Sequence, residues 1–232
     1  MAHIKAFLGE KADFKKVFRS VLVVDDDDLF LGTLCEAIVR SQPNTVVFSC
    51  LEPEHSLALL EQAYIDVCIS DINMPGMSGD KVILSVKEAS PTTYTIAVTG
   101  HTFDAAFKAG RCNPDFFIDK NKGFQVILAG LKKGFAESLE RRKTAFVGYY
   151  DEVRGVIGKE PDDWRFKRSI KDALGYSFKD FLDFRKRIKA VGLQLIRPHF
   201  TMEEKAFILG YSSTRLLKEH VSTFFLLFGL HI

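Results

Sequence analysis

An α/β doubly wound, five-stranded parallel sheet followed by a smaller all-α unit is the fold class this sequence predicts. Three observations lead there. Five short, continuously apolar runs recur between residues 21 and 118. Segments of helical periodicity separate them, the pattern of parallel strands buried on both faces. Beyond Ala145 no such run returns, and helical patterns broken at glycine and proline take over.

The five runs are Val21–Val24, Thr45–Cys50, Ile65–Ser70, Thr95–Thr99 and Phe116–Ile118. Leu31, Leu34, Cys35 and Ile38 make the first helical stripe. Leu57 with Leu60 make the second, and Val82, Ile83 and Val86 the third. After the fifth run, Phe124, Ile127, Leu128, Leu131, Phe135 and Leu139 keep helical spacing to about Lys143. The chain therefore divides into an N-terminal extension (1–16, a helix or a loose tail), an α/β domain (17–140), a helical linker (141–148) and a helical unit (149–232).

Composition narrows the function classes. The 232 residues are 47% hydrophobic and 27% charged, a globular composition with too much apolar content for disorder. Residues 1–145 hold 17 Lys+Arg against 19 Asp+Glu, and the remaining 87 hold 15 against 11. An acidic front and a mildly basic back suggest two units with different partners. Cys35, Cys50, Cys68 and Cys112 are far apart, which reads as buried reduced thiols and a cytoplasmic protein. No apolar stretch is long enough for a membrane span.

The residues at the strand ends carry the chemistry. The first run leads into Asp25 and Asp26, the third into Asp71, the fourth ends at Thr99, and the fifth is followed by Lys120. In an open parallel sheet these positions share one rim. Crowded carboxylates repel unless a hard cation lies among them, and Mg²⁺ suits an all-oxygen set. A carboxylate beside Mg²⁺, an amine and a hydroxyl is equipped to attack a phosphoryl group and become an acyl phosphate.

In "VLVVDD", "DINMPGMSG", "VTG" and "FFIDK" the order and spacing of these residues closely resemble the response-regulator receiver domain, over about residues 17–140. The resemblance implies a flavodoxin-like fold with Asp71 as phospho-acceptor. It also implies Mg²⁺ ligation by Asp26, Asp71 and the Asn73 carbonyl, with Asp25 acting partly through water. Thr99 and Lys120 would contact the phosphoryl group, and Phe117 would be the aromatic switch. Two departures are visible: Asn121 stands where the family usually has proline, and the segment between Gly100 and "RCNPD" is altered. The second puts the family's usual dimer face in doubt.

The C-terminal unit reads as helix, glycine turn, helix, twice over, joined by a helix from Phe178 to about Ile196. "LGYSFKDFLDFRKRIKA" and "AFILGYSS" resemble the AraC-type helix-turn-helix DNA-binding domain. That resemblance places Trp164, Arg165, Lys167 and Arg168 on one recognition helix, and Thr214, Arg215 and Lys218 on the other, at about residues 212–223. Ser177 and Ser212 are candidate N-caps, and Phe181, Leu182, Ile188 and Leu193 candidate core residues. Against DNA binding stand the weak net charge of the unit, Asp162, Asp163 and Glu219 near the groove surface, and Arg187 and Lys205 at positions the family keeps apolar.

The expectation is a non-enzymatic response regulator, phosphorylated by a histidine kinase or phosphotransfer protein. Phosphorylation would control binding to double-stranded DNA, and a phosphorylation-dependent homodimer is open. The alternative is a phosphorylation-dependent protein-interaction module with a degenerate helical output. A phosphatase of the haloacid dehalogenase type fits less well, because its nucleophile usually lies after the first strand.

Overall fold

Valine, isoleucine and leucine dominate the strands that the structure shows, as buried parallel pairing favours. The computed structural model describes the backbone of residues 4–13, 18–100, 110–150, 168, 171, 172 and 174–227, and their side chains except at 143, 145–150, 178 and 223. Six strands form one sheet: β1 (Ile4–Phe7), β2 (Arg19–Val24), β3 (Thr45–Cys50), β4 (Val67–Asp71), β5 (Tyr94–Thr99) and β6 (Phe116–Asp119). Their order is β1-β3-β2-β4-β5-β6.

The expected count of five strands is corrected by β1. The N-terminal extension is neither helix nor tail over residues 4–7: it pairs antiparallel with β3, Ile4 opposite Cys50 and Phe7 opposite Val47. The other pairings are parallel. Only Ile4 of this four-residue strand is buried, so its sequence carries no run. The free edge of β3 draws it in.

Helices α1 (Asp28–Ser41) and α4 (Phe124–Tyr150) cover one face of the sheet, with Leu31, Leu34, Ile38, Ile127 and Leu131 packed on Val21, Val23 and Ile69. Asp27 caps α1 by accepting from the N–H groups of Leu29 and Phe30. Helix α4 runs seven residues past the expected stop at Lys143, so the stretch 141–148 is continuous helix. Helices α2 (Pro53–Leu60) and α3 (Gly79–Ala89) lie on the other face.

Three further helices follow: α5 (Phe178–Ile196), α6 (Met202–Leu209) and α7 (Thr214–Leu226). Ser177 caps α5 as expected. A capping box of Thr201 and Glu204 starts α6, and Gly210, at φ 72°, closes it in the left-handed conformation. The cap of α7 is Ser213, not Ser212. Leu182, expected in the core, is 45% exposed.

These helices share the core of the sheet's second face. Ile188, Val191, Leu193, Leu217, Val221 and Phe224 form one apolar cluster with Leu22, Val46 and Phe48. The Phe48 and Phe224 rings meet edge to face, 6.2 Å apart. A Cβ at Gly192 would stand 2.8 Å from Leu8 Cδ2 and 3.2 Å from the Phe18 ring, so α5 lies on the sheet at a glycine.

Candidate phosphoryl-acceptor and metal site

Each site residue sits where its strand stops. β2 hands the chain to Asp25 and Asp26, β4 ends on Asp71, β5 on Thr99, and Lys120 follows β6. The carboxyl ends of parallel strands point to one rim, where the strand order reverses on either side of β2.

Lys120 is the centre of the arrangement. Its Nζ lies 2.7 Å from Asp25 Oδ2 and 2.6 Å from Asp71 Oδ2, and 4.5 Å from the Phe30 ring centroid. Phe30 in turn rests on Phe124 at 5.2 Å. Burial works against the Lys120 charge, but the contacts with the Asp25 and Asp71 carboxylates outweigh it and raise its pKa above the usual lysine range. Asp25 is 1% exposed. Its burial pushes the carboxyl up to about 6, although Lys120 and the Asp27 N–H pull the other way.

The loop after β4 is folded onto Asp71. The Asn73 N–H donates to Asp71 Oδ1 at 3.1 Å, and Asn73 Nδ2 lies 3.3 Å from Thr99 Oγ1. Glu54 on α2 accepts from the Met77 N–H at 3.2 Å and holds the far side of this loop. Gly76 turns it with φ 75°. At the opposite corner Asn121, in the position where the family usually has proline, is the middle residue of a 3₁₀ turn (Lys120–Lys122), and its N–H donates to the Asp119 cap. No cis peptide bond occurs among the described residues.

Ligand atoms of Asp25, Asp26 and Asp71 all lie within 4.8 Å of one another, and these three could hold a metal ion. The donors are hard carboxylate oxygens, which suit Mg²⁺. Asp25 Oδ2 is buried and meets Lys120 as an ion pair, without an aligned hydrogen bond. A second cation beside that oxygen fits the electrostatics.

Thr99 is buried beside this cluster, whereas Phe117, on edge strand β6, is 37% exposed. Of the residues expected at DNA, Trp164, Arg165 and Lys167 lie outside the described residues. Arg168 is exposed, 3.8 Å from Asp172. Thr214 opens α7 half-buried, Lys218 is exposed, and Arg215, also exposed, pairs with Glu219 at 2.7 Å.

Sequence reasoning missed a second polar centre, at the other end of β4. Asp66 is buried and accepts from Arg142 on α4 (2.7 Å), Arg185 on α5 (2.8 Å) and the Ser20 N–H (2.8 Å). Its burial opposes the charge, yet Arg185 and Arg142 hold the carboxyl below the usual range. The cluster ties α4 and α5 to the sheet. A lone Asp before a strand and two arginines in distant helices give no local signal of this.

Comparison with known proteins bears on the same residues. The response regulator receiver domain family matches residues 21–132. Over 147 residues the chain is 30% identical to the DNA-binding transcriptional regulator NtrC of Proteus hauseri, covering 61% of this chain and 30% of that protein. It is 24% identical over 137 residues to a protein-glutamate methylesterase/protein-glutamine glutaminase of Shewanella oneidensis, covering 59% of this chain and 33% of that protein. The chain thus spans about a third of the length of these relatives. The fold is that of the signal receiver domain of an HD domain-containing protein from Pseudomonas fluorescens Pf-5, with TM-score 0.51, 22% identity, and 55% of this chain on 94% of that one. No helix among the described residues is long and apolar enough to cross a membrane. Residues 21–132 of this chain are a receiver domain of the two-component response regulators.

Proposed function

We propose that Asp71 accepts a phosphoryl group from a histidine kinase or phosphotransfer protein, and that the acyl phosphate so formed regulates the helices after residue 149. The observation that carries this is the Lys120 ammonium held between Asp25 and Asp71, at 2.7 and 2.6 Å. Asp71 Oδ2 attacks phosphorus, the bond to the donor imidazole breaks, and the imidazole leaves with its electron pair. Lys120 moves from the carboxylate to a phosphoryl oxygen, and the Thr99 hydroxyl donates to another. Asp25, Asp26, Asp71 and the Asn73 carbonyl would hold Mg²⁺, which supplies charge neutralisation on the transferring group. Phe117 repacks as Thr99 turns inward. Phosphorylation with labelled acetyl phosphate and Mg²⁺ tests this. Label should enter the wild-type chain in hydroxylamine-sensitive form and be absent from Asp71→Asn; label that persists in that variant removes Asp71 from the role.

For the output, we read α6, the Gly210 turn and α7 as a helix-turn-helix. We place Thr214, Arg215 and Lys218 toward the major groove of double-stranded DNA, with Trp164, Arg165, Lys167 and Arg168 on the preceding recognition helix. The relationship to NtrC, named as DNA-binding, supports this reading. A protein-interaction output is the second reading. Arg215 is already paired with Glu219, and Phe207 on α6 is 86% exposed. Selection from a random duplex pool at about 150 mM salt separates the two. Under the DNA reading a motif enriches, and Lys218→Ala lowers the salt slope by about 1. No enrichment in either phosphorylation state leaves the protein-interaction reading.

A further inference from the structure

Helix α3 begins and ends on contacts that leave no room for a side chain. At its first residue, a Cβ on Gly79 would stand 1.6 Å from the Asp71 carbonyl oxygen and 2.7 Å from Ser70 Oγ. The Gly79 N–H also donates to the Ile72 carbonyl at 3.1 Å. The helix therefore starts directly on the main chain of the acceptor residue.

Its last residue makes the matching contact with the C-terminal helices. A Cβ on Gly175 would stand 1.6 Å from the Ala89 carbonyl oxygen and 3.4 Å from the Ser90 nitrogen. Gly175 has φ 78°, and its N–H closes the preceding turn on the Lys171 carbonyl at 2.8 Å. Two residues later Ser177 caps α5. Beside this contact the Tyr176 hydroxyl donates to the Leu60 carbonyl of α2.

Between the two glycines α3 is a rod of 11 residues, about 16 Å long. Val82, Ile83 and Val86 on its inner face are fully buried. Such a helix moves as a body, because a close-packed interior does not absorb strain locally. On the opposite face the apolar cluster, under α1 and α4, includes nothing beyond Phe135, and α4 meets α5 through the Asp66 carboxylate that Arg142 and Arg185 share, at the end of β4 away from the rim.

We propose that α3 carries the phosphorylation state of Asp71 to the C-terminal helices, receiving a shift of the Asp71 main chain at Gly79 and delivering it from Ala89 to Gly175. This rests on Asp71 as the acceptor. Coupling is reciprocal, so whatever displaces the helices at Gly175 changes ligand affinity at the rim by the same factor.

Hydrogen exchange of the full chain, with and without beryllofluoride and Mg²⁺, tests the proposal, the fluoride complex standing in for the acyl phosphate. Binding should change exchange in peptides covering 84–90 and 174–182 by about fivefold, the low end of allosteric couplings. Asp71→Asn should abolish the change. Gly175→Ala should lose it at 174–182 while beryllofluoride still binds, and Tyr176→Phe, which keeps the glycine contact, should retain it. Bound beryllofluoride without a change in either peptide overturns the proposal alone, as does loss of the response in Tyr176→Phe. No beryllofluoride binding by the wild-type chain overturns the acceptor assignment, and this proposal with it.

Discussion

Replacing Asp66 with asparagine takes the negative charge away from two arginines, Arg142 buried and Arg185 half-buried. Arg142 is 7% exposed, and Arg185 donates to both carboxylate oxygens, at 2.8 and 3.1 Å. The Ser20 N–H and hydroxyl also use Oδ2, at 2.8 and 3.0 Å. Breaking a buried ion pair from one side costs about 3–5 kcal/mol, because the remaining charge stays buried. With one buried and one half-buried guanidinium group facing the vacated charge, Asp66→Asn should lose about 4 kcal/mol, the middle of that range. At roughly 2–4 °C per kcal/mol for a chain of this size, Tm should fall by about 12 °C. Thermal unfolding followed by circular dichroism measures this. Adding Arg142→Met and Arg185→Met to Asp66→Asn should recover part of the loss, since no unpaired charge then remains. A fall in Tm smaller than about 3 °C for Asp66→Asn would refute the claim that the cluster holds α4 and α5 to the sheet.

Asp66 and Asp115, the latter bonded to Arg141 at 2.7 Å, set the acid limb of stability. Arg185 and Arg142 outweigh burial at Asp66, and Arg141 does so at Asp115, so both folded-state pKa values lie below the unfolded ones. Their contribution is present above about pH 4 and is lost as pH falls through the folded values; Tm should drop steeply below pH 4, and a flat profile there contradicts it. At the rim the sign is reversed. Protonation of Asp25, whose burial pushes it up to about 6, competes with Mg²⁺. Calorimetric Mg²⁺ affinity should therefore fall about tenfold per pH unit below 6 and level off above 7. Thr201→Ala removes one half of the α6 capping box and should cost about 1 kcal/mol in urea unfolding, with Thr201→Ser recovering most of it.

The rim was legible because its chemistry is local to each strand. Asp25, Asp71, Thr99 and Lys120 each lie at the end of an apolar run, so finding the runs finds the residues. Burial on both faces made β2 to β5 continuous runs, whereas β1 shows one buried residue and depends on a partner more than 40 positions away. The Asp66 cluster joins residues 76 and 119 positions apart, a separation that periodicity cannot report. Arg187 and Lys205 looked out of place against an apolar pattern. Arg187 Nε donates to the His220 carbonyl, and Lys205 donates to Gln194 Oε1 and the Pro198 carbonyl. Both polar heads are satisfied by groups that only the fold brings near. Leu182 failed in the opposite sense, since helical spacing assigns a stripe without saying how wide the covering surface is.

Signalling chains are often assembled by exchanging whole units, and this requires that few contacts cross the joint. Phe224 against Phe48, and Gly192 against Leu8 and Phe18, make the joint here part of the interior. Grafting another output after residue 150 would leave Val46, Phe48 and Phe18 facing water, and Asp66 would keep only one of its two arginines. The two halves of this chain therefore share one interior: the side chain at position 48 of β3 is constrained by the size of a ring more than 170 residues downstream. Recombination with a relative's output is closed to it unless α5 and α7 travel with the sheet.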